Sequence, residues 1–203
     1  MEIQLVMAVL LSFAVSVGLG PIIIPFLRRL KIGQTERTQG VSSHLKKAGT
    51  PTMGGLIFLL STTVTAVFYV KDYPRIVPVL FLTLGFGLIG FLDDYLKVVL
   101  KRSGGLYPRQ KMFLQIVITA VFAVYMIRFS GIPLAMKIPF LPGKELSIGW
   151  LSVPLLFFVV LGTVNGVNFT DGLDGLASSV TVMVAVFFTV AAAGSGIGIT
   201  PIT

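Results

Sequence analysis

The sequence predicts an all-α fold, a polytopic transmembrane helical bundle. Three observations lead there: a composition suited to lipid, about six apolar runs, and basic residues that gather in alternate loops. Of 203 residues, 55% are hydrophobic and only 12% charged, and mean hydropathy is +0.94. Soluble domains carry about a quarter charged residues, and so few charges would not cover a core of this size. Membrane lipid is therefore the expected surrounding, and residues 1–203 read as a single transmembrane domain.

The apolar runs cover residues 3–27, 53–70, 76–92, 112–127, 148–164 and 176–193. Several fall short of the roughly 20 residues that cross the hydrocarbon, but flanking polar turns can extend them as helix. The first run follows Met1 and Glu2 directly and ends at Arg28 and Arg29. That order is the reverse of a secretory signal, so the run reads as a retained span with the amino terminus outside. Loops 28–52, 93–111 and 165–175 then share the cytoplasmic side. They hold Arg28, Arg29, Lys31, Arg37, Lys46, Lys47, Lys97, Lys101, Arg102, Arg109 and Lys111, which is 11 of the 16 basic residues. Lys71, Arg75, Arg128, Lys137 and Lys144 fall outside, so the positive-inside rule favours this orientation. Between the fourth and fifth runs, Pro133, Pro139, Pro142 and Gly143 suit a short outer hairpin or a re-entrant stretch. The turn composition from Gly194 to Gly198, with Pro201, ends the sixth helix.

Several classes of function are excluded. With no cysteine there is neither a disulfide nor a thiolate zinc site. His44, the single histidine, rules out a multi-histidine metal site within these residues. A net charge of +8 and a pI near 10.0 would suit a nucleic-acid partner, but no polar basic domain exists to present it, so none is expected. A membrane transporter stays as the alternative of another class, though the middles of the six runs hold no polar side chain beyond Ser and Thr, and a conduction path would more naturally place polar residues there.

Chemistry concentrates in the three cytoplasmic loops. In the first, Thr50 is a candidate N-cap with Pro51 at the first helical position, so the second helix should begin there. Open amides at that start, Gly54, Gly55 and the nearby Lys47 make an anion site; the structural alternative is a capped helix with lysines at headgroups. In the second loop the adjacent carboxylates of Asp93 and Asp94 repel, so a cation, a base or a shared proton should accompany them. Magnesium suits such hard oxygens. Asp93, Lys97 and Lys101 share a helix face at four-residue spacing, suited to phosphate or to a plain ion-pair ladder. The third loop sets Asn168, Asp171 and Asp174 together without a basic residue. A capped helix start accounts for Asp171 alone. Four of the eight acidic residues thus lie in two loops on the face that also carries the anion-site candidates, which fits a nucleotide sugar with a metal.

Three ordered motifs carry a resemblance: the stretch from Gln34 to Gly55 ending Gly-Thr-Pro-Thr-Met-Gly-Gly, the stretch Phe-Leu-Asp93-Asp94-Tyr-Leu-Lys97, and Asn168-Phe-Thr-Asp171-Gly-Leu-Asp174-Gly-Leu-Ala177. The sequence resembles the polyprenyl-phosphate N-acetylhexosamine-1-phosphate transferase superfamily, and within it the bacterial phospho-N-acetylmuramoyl-pentapeptide transferases. The resemblance implies transfer of phospho-MurNAc-pentapeptide from UDP-MurNAc-pentapeptide to undecaprenyl phosphate, with Mg2+, giving lipid I and UMP for peptidoglycan synthesis. It implies Asp93 as the base acting on the lipid phosphate, and Asp94 beside the metal. Lys47 and Thr52 would line the nucleotide site, Lys97 and Lys101 the phosphates, and Asn168, Asp171 and Asp174 the uridine and metal region, with Asp171 a second metal ligand. It further implies a homodimer in the bacterial inner membrane. Family members typically have ten spans and place further catalytic groups in later loops, so these residues are expected to form an amino-terminal portion, inactive alone. A further metal aspartate of the family is expected beyond Thr203. A sister enzyme using another UDP-sugar is the nearest alternative; the full Gly-Thr-Pro-Thr-Met-Gly-Gly run favours the muramoyl branch.

Overall fold

A computed structural model describes residues 2–29, 53–100, 102, 104–131, 135–137, 145–170 and 175–195. Within them lie six helices: α1 Glu2–Arg29, α2 Gly55–Tyr69, α3 Ile76–Val98, α4 Pro108–Arg128, α5 Ser152–Thr170 and α6 Leu176–Ser195. A strand pair, β1 Ala135–Lys137 and β2 Glu145–Ser147, runs antiparallel with Met136 opposite Leu146. Of the two forms that the prolines between the fourth and fifth apolar runs suited, a hairpin or a re-entrant stretch, the strand pair is the hairpin.

Among the described residues four segments are long and apolar enough to cross a membrane: Ile3–Arg29, Ile76–Val98, Pro108–Arg128 and Gly149–Thr170. Gly55–Tyr69 and Leu176–Ala191 are apolar but shorter. At about 1.5 Å per residue, the 15 residues of α2 rise only about 22 Å, less than the roughly 30 Å of hydrocarbon. Pro21 and Pro25 lie inside α1, leaving the carbonyls of Val17 and Pro21 without their usual helical donors, an interruption that membrane helices tolerate.

The start of α2 differs from the sequence expectation. The helix begins at Gly55, not Pro51, because Met53 adopts φ 67°, a left-handed conformation that cannot lie within a right-handed helix. The first turn closes through Leu56 N–H to Met53 O at 3.1 Å and Ile57 N–H to Gly54 O at 3.0 Å. Thr50 and Pro51 lie outside the described residues.

Contacts divide the chain into two compact units, Met1–Lys111 and Met112–Pro201. In the first, α1 packs on α2 and α2 on α3. Ser16 Oγ donates to Ser61 Oγ at 2.7 Å, and Ser61 Oγ donates to Phe58 O at 3.0 Å. Gly87 of α3 lies so close to α2 that a Cβ would come within 2.7 Å of Leu59. In the second, the face of α4 carrying Gln115, Thr119 and Ala123 is buried.

Buried positions among the described residues are small or polar in the main, including Ser61, Thr65, Ala66, Thr119 and Ala123, while Phe13, Phe68, Phe158 and Phe187 are exposed. A soluble protein would bury the larger side chains. In lipid, which is as apolar as leucine, helices gain little by hiding large apolar groups and instead approach closely through small ones.

Candidate active site

Asp93 sits in the last turns of α3, where the apolar helix gives way to Lys97. Its carboxylate is enclosed. Lys97 Nζ donates to Oδ2 at 2.6 Å, and the backbone N–H of Leu106 donates to Oδ1 at 2.8 Å. Lys111 Nζ lies 3.8 Å from Oδ2. Asp93 as a whole is only 7% exposed, so its charge needs these partners.

The loop after α3 is folded to reach it. Val99 N–H donates to Tyr95 O at 2.9 Å and Arg102 N–H to Leu96 O at 3.0 Å, which uses carbonyls left open at the helix end. Gly105 N–H then donates to Arg102 O at 2.9 Å. At φ +60°, Gly105 turns the chain back over α3; a Cβ there would fall against Asp93 Oδ1 and 2.7 Å from Lys97 Cε. Arg102 lies over the Tyr107 ring, 4.4 Å from its centroid. Tyr107 N–H donates to Gln110 Oε1 at 3.2 Å, capping the start of α4 and so setting Lys111 beside Asp93.

Asp94 has a different setting. Its side chain is 40% exposed, and its Oδ1 lies 3.9 Å from Lys97 Nζ. Two adjacent carboxylates are thus sorted, one enclosed and one open, with Lys97 between them. Among the described residues no group of three or more carboxylate or imidazole ligands gathers for a metal. A magnesium ion bound largely by phosphate oxygens and water would need only one or two carboxylates, and the part-exposed Asp94 is a residue that could supply one.

Asn168 lies on an exposed face near the end of α5, in the second unit. Lys47, Thr52, Lys101, Asp171 and Asp174 lie outside the described residues. Thr203 lies outside them as well. Sequence reasoning missed the Leu106 amide, Gly105 as its hinge, and Lys111 as a second cation on Asp93. The glycine pair 104–105, shortly after Lys101 and Arg102, is the one signal that pointed to a tight return of the chain.

A family model described as glycosyl transferase family 4 matches residues 76–201, a stretch that includes Asp93, Asp94, Lys97, Asn168, Asp171 and Asp174. The chain belongs to glycosyl transferase family 4. Residues 47–59, with Lys47 and Thr52 among them, also match the phospho-N-acetylmuramoyl-pentapeptide-transferase signature 1. Similar curated proteins carry that enzyme's name. That of Acetivibrio thermocellus is 53% identical over 184 residues, which is 90% of this chain and 55% of the relative. That of Bacillus subtilis is 48% identical over 185 residues, 88% of this chain and 56% of the relative. That of Caldicellulosiruptor bescii is 43% identical over 190 residues, 94% and 58% respectively. This family 4 chain therefore spans just over half the length of the curated relatives it matches.

Proposed function

We propose that residues 1–203 form the amino-terminal portion of the catalytic domain of an enzyme that transfers phospho-MurNAc-pentapeptide from UDP-MurNAc-pentapeptide to undecaprenyl phosphate. The products are lipid I and UMP. The observation that carries this reading is the signature match over residues 47–59, the more specific of the two family matches.

In this reaction an oxygen of the lipid phosphate attacks the phosphorus joined to the sugar. A P–O bond forms there as the pyrophosphate P–O bond breaks, and UMP leaves with its electron pair. Both reactants are anionic, so positioning and charge neutralisation supply most of the acceleration. Lys97 supports such a role: its side chain is 41% exposed, and it bridges the two carboxylates. A phosphate that draws Lys97 off Asp93 frees one side of Oδ2, which Lys111 still faces at 3.8 Å, to accept the lipid phosphate's proton, the role proposed for Asp93. Magnesium, held at Asp94 and Asp171 and by the further aspartate proposed beyond Thr203, would neutralise charge on the pyrophosphate when bound. By motif position, Lys47, Thr52, Lys101, Asn168 and Asp174 are proposed to complete the nucleotide and phosphate contacts.

We place the enzyme in the bacterial cytoplasmic membrane as a homodimer, with its amino terminus outside and its site on the cytoplasmic face. The distribution of basic residues supports that orientation. Residues 1–203 alone are proposed to be inactive. The test is turnover by the complete enzyme in detergent: UMP release with UDP-MurNAc-pentapeptide and little with UDP-GlcNAc supports the proposal, whereas the opposite preference moves it to a sister transferase.

A further inference from the structure

Gln115 of α4 and Asn165 of α5 meet inside the second unit, fifty residues apart in sequence. Asn165 Nδ2 donates to Gln115 Oε1 at 2.9 Å, and the reverse contact, Gln115 Nε2 to Asn165 Oδ1, is 3.5 Å. Asn165 Nδ2 also donates to Leu161 O at 2.8 Å. Gln115 is 1% exposed, and Thr119, one turn along, is 0% exposed and donates to Gln115 O at 2.8 Å. Both helices belong to segments long and apolar enough to span a membrane, and between Gln115 and Arg128 the side chains of α4 are apolar apart from Thr119 and Tyr125.

Apolar packing between membrane helices is weakly directional. An amide pair is directional. Gln115 is buried and Asn165 half-buried, so a rotation that breaks the pair strands the Gln115 amide in an apolar surrounding. Asn168 follows Asn165 by three residues and therefore shares its side of α5, near the end of the helix. A slip of one residue would swing Asn168 by about 100°.

We infer that the Gln115–Asn165 pair is a positioning device: it sets the rotation of α5 so that Asn168 faces the nucleotide. The inference rests on the proposed contact between Asn168 and the uridine region. Gln115 and Asn165 touch no substrate; they act through Asn168.

The experiment compares Gln115→Leu, Asn168→Ala and the double variant in the complete enzyme, reading KM for UDP-MurNAc-pentapeptide and kcat separately. Gln115→Leu should raise KM roughly five- to tenfold, the scale of one lost hydrogen bond, with kcat changed by less than about twofold. Combined with Asn168→Ala it should raise KM no further, because both variants lose the same contact. If Gln115→Leu does not fold, Gln115→Asn, which keeps an amide but is one methylene short, carries the same comparison. An Asn168→Ala variant with raised KM beside a Gln115 variant with unchanged KM overturns the positioning role, as do effects that add in full. Unchanged KM in Asn168→Ala instead overturns the nucleotide contact itself, and the positioning role with it.

Discussion

The backbone N–H of Leu106 donates to Oδ1 of Asp93 at 2.8 Å, joining residues thirteen apart. The bond fixes one oxygen of the carboxylate and leaves the other to the ammonium groups of Lys97 and Lys111. Asp93 is thereby both an anchor for the α3–α4 loop and the centre of a small cluster of charge.

These two roles separate by substitution. Asp93→Asn keeps an oxygen for Leu106 but removes the charge that holds the lysines. In the complete enzyme, turnover should fall about 10²- to 10⁴-fold, as for loss of a general base, with the melting temperature nearly kept. Asp93→Leu also strands the Leu106 amide, at a cost of about 1–3 kcal/mol, so its melting temperature should fall as well. UMP release and thermal unfolding in detergent measure both.

Gly105→Ala attacks the same anchor from the loop. The left-handed backbone and the crowding against Asp93 and Lys97 leave no room for a methyl group. Strain of about 1–3 kcal/mol is expected, with a loss of turnover because the Asp93 carboxylate is displaced. A melting temperature and turnover equal to wild type would show that the loop does not hold Asp93.

Much of the helical framework was legible because apolar runs in lipid need no periodicity to be recognised, and the prolines between the fourth and fifth runs marked the hairpin. The start of α2 was not, since Thr50 and Pro51 form a good cap on paper and nothing in the letters signals that Met53 takes φ 67°. At the site, the Asp93–Lys97 pair follows from four-residue spacing on a helix. The Leu106 and Lys111 contacts depend on how far a loop turns back at Gly105, which spacing does not encode. Gln115 and Asn165 read separately as single amides near the ends of apolar runs; their pairing is a tertiary fact.

Asp94 is the more exposed of the two carboxylates, with its side chain 40% exposed. Asp94→Asn should raise the magnesium concentration for half-maximal turnover by at least about tenfold. A magnesium titration of the purified enzyme makes the comparison, and an unaltered titration removes Asp94 from the metal site.

Gly87→Val tests the packing beneath the site. Its Cβ would come 2.7 Å from Leu59 Cδ1, so α2 and α3 must part. Overpacking of this kind costs about 1–3 kcal/mol, and thermal unfolding should show it.

The most direct test is UMP release by the complete enzyme given UDP-MurNAc-pentapeptide and undecaprenyl phosphate in detergent, compared with its Asp93→Asn and Asp94→Asn double variant. UMP and lipid I are expected in equal amounts from the wild type, and neither above background from the folded double variant. Undiminished UMP release by the double variant, or none by the wild type, would contradict this expectation.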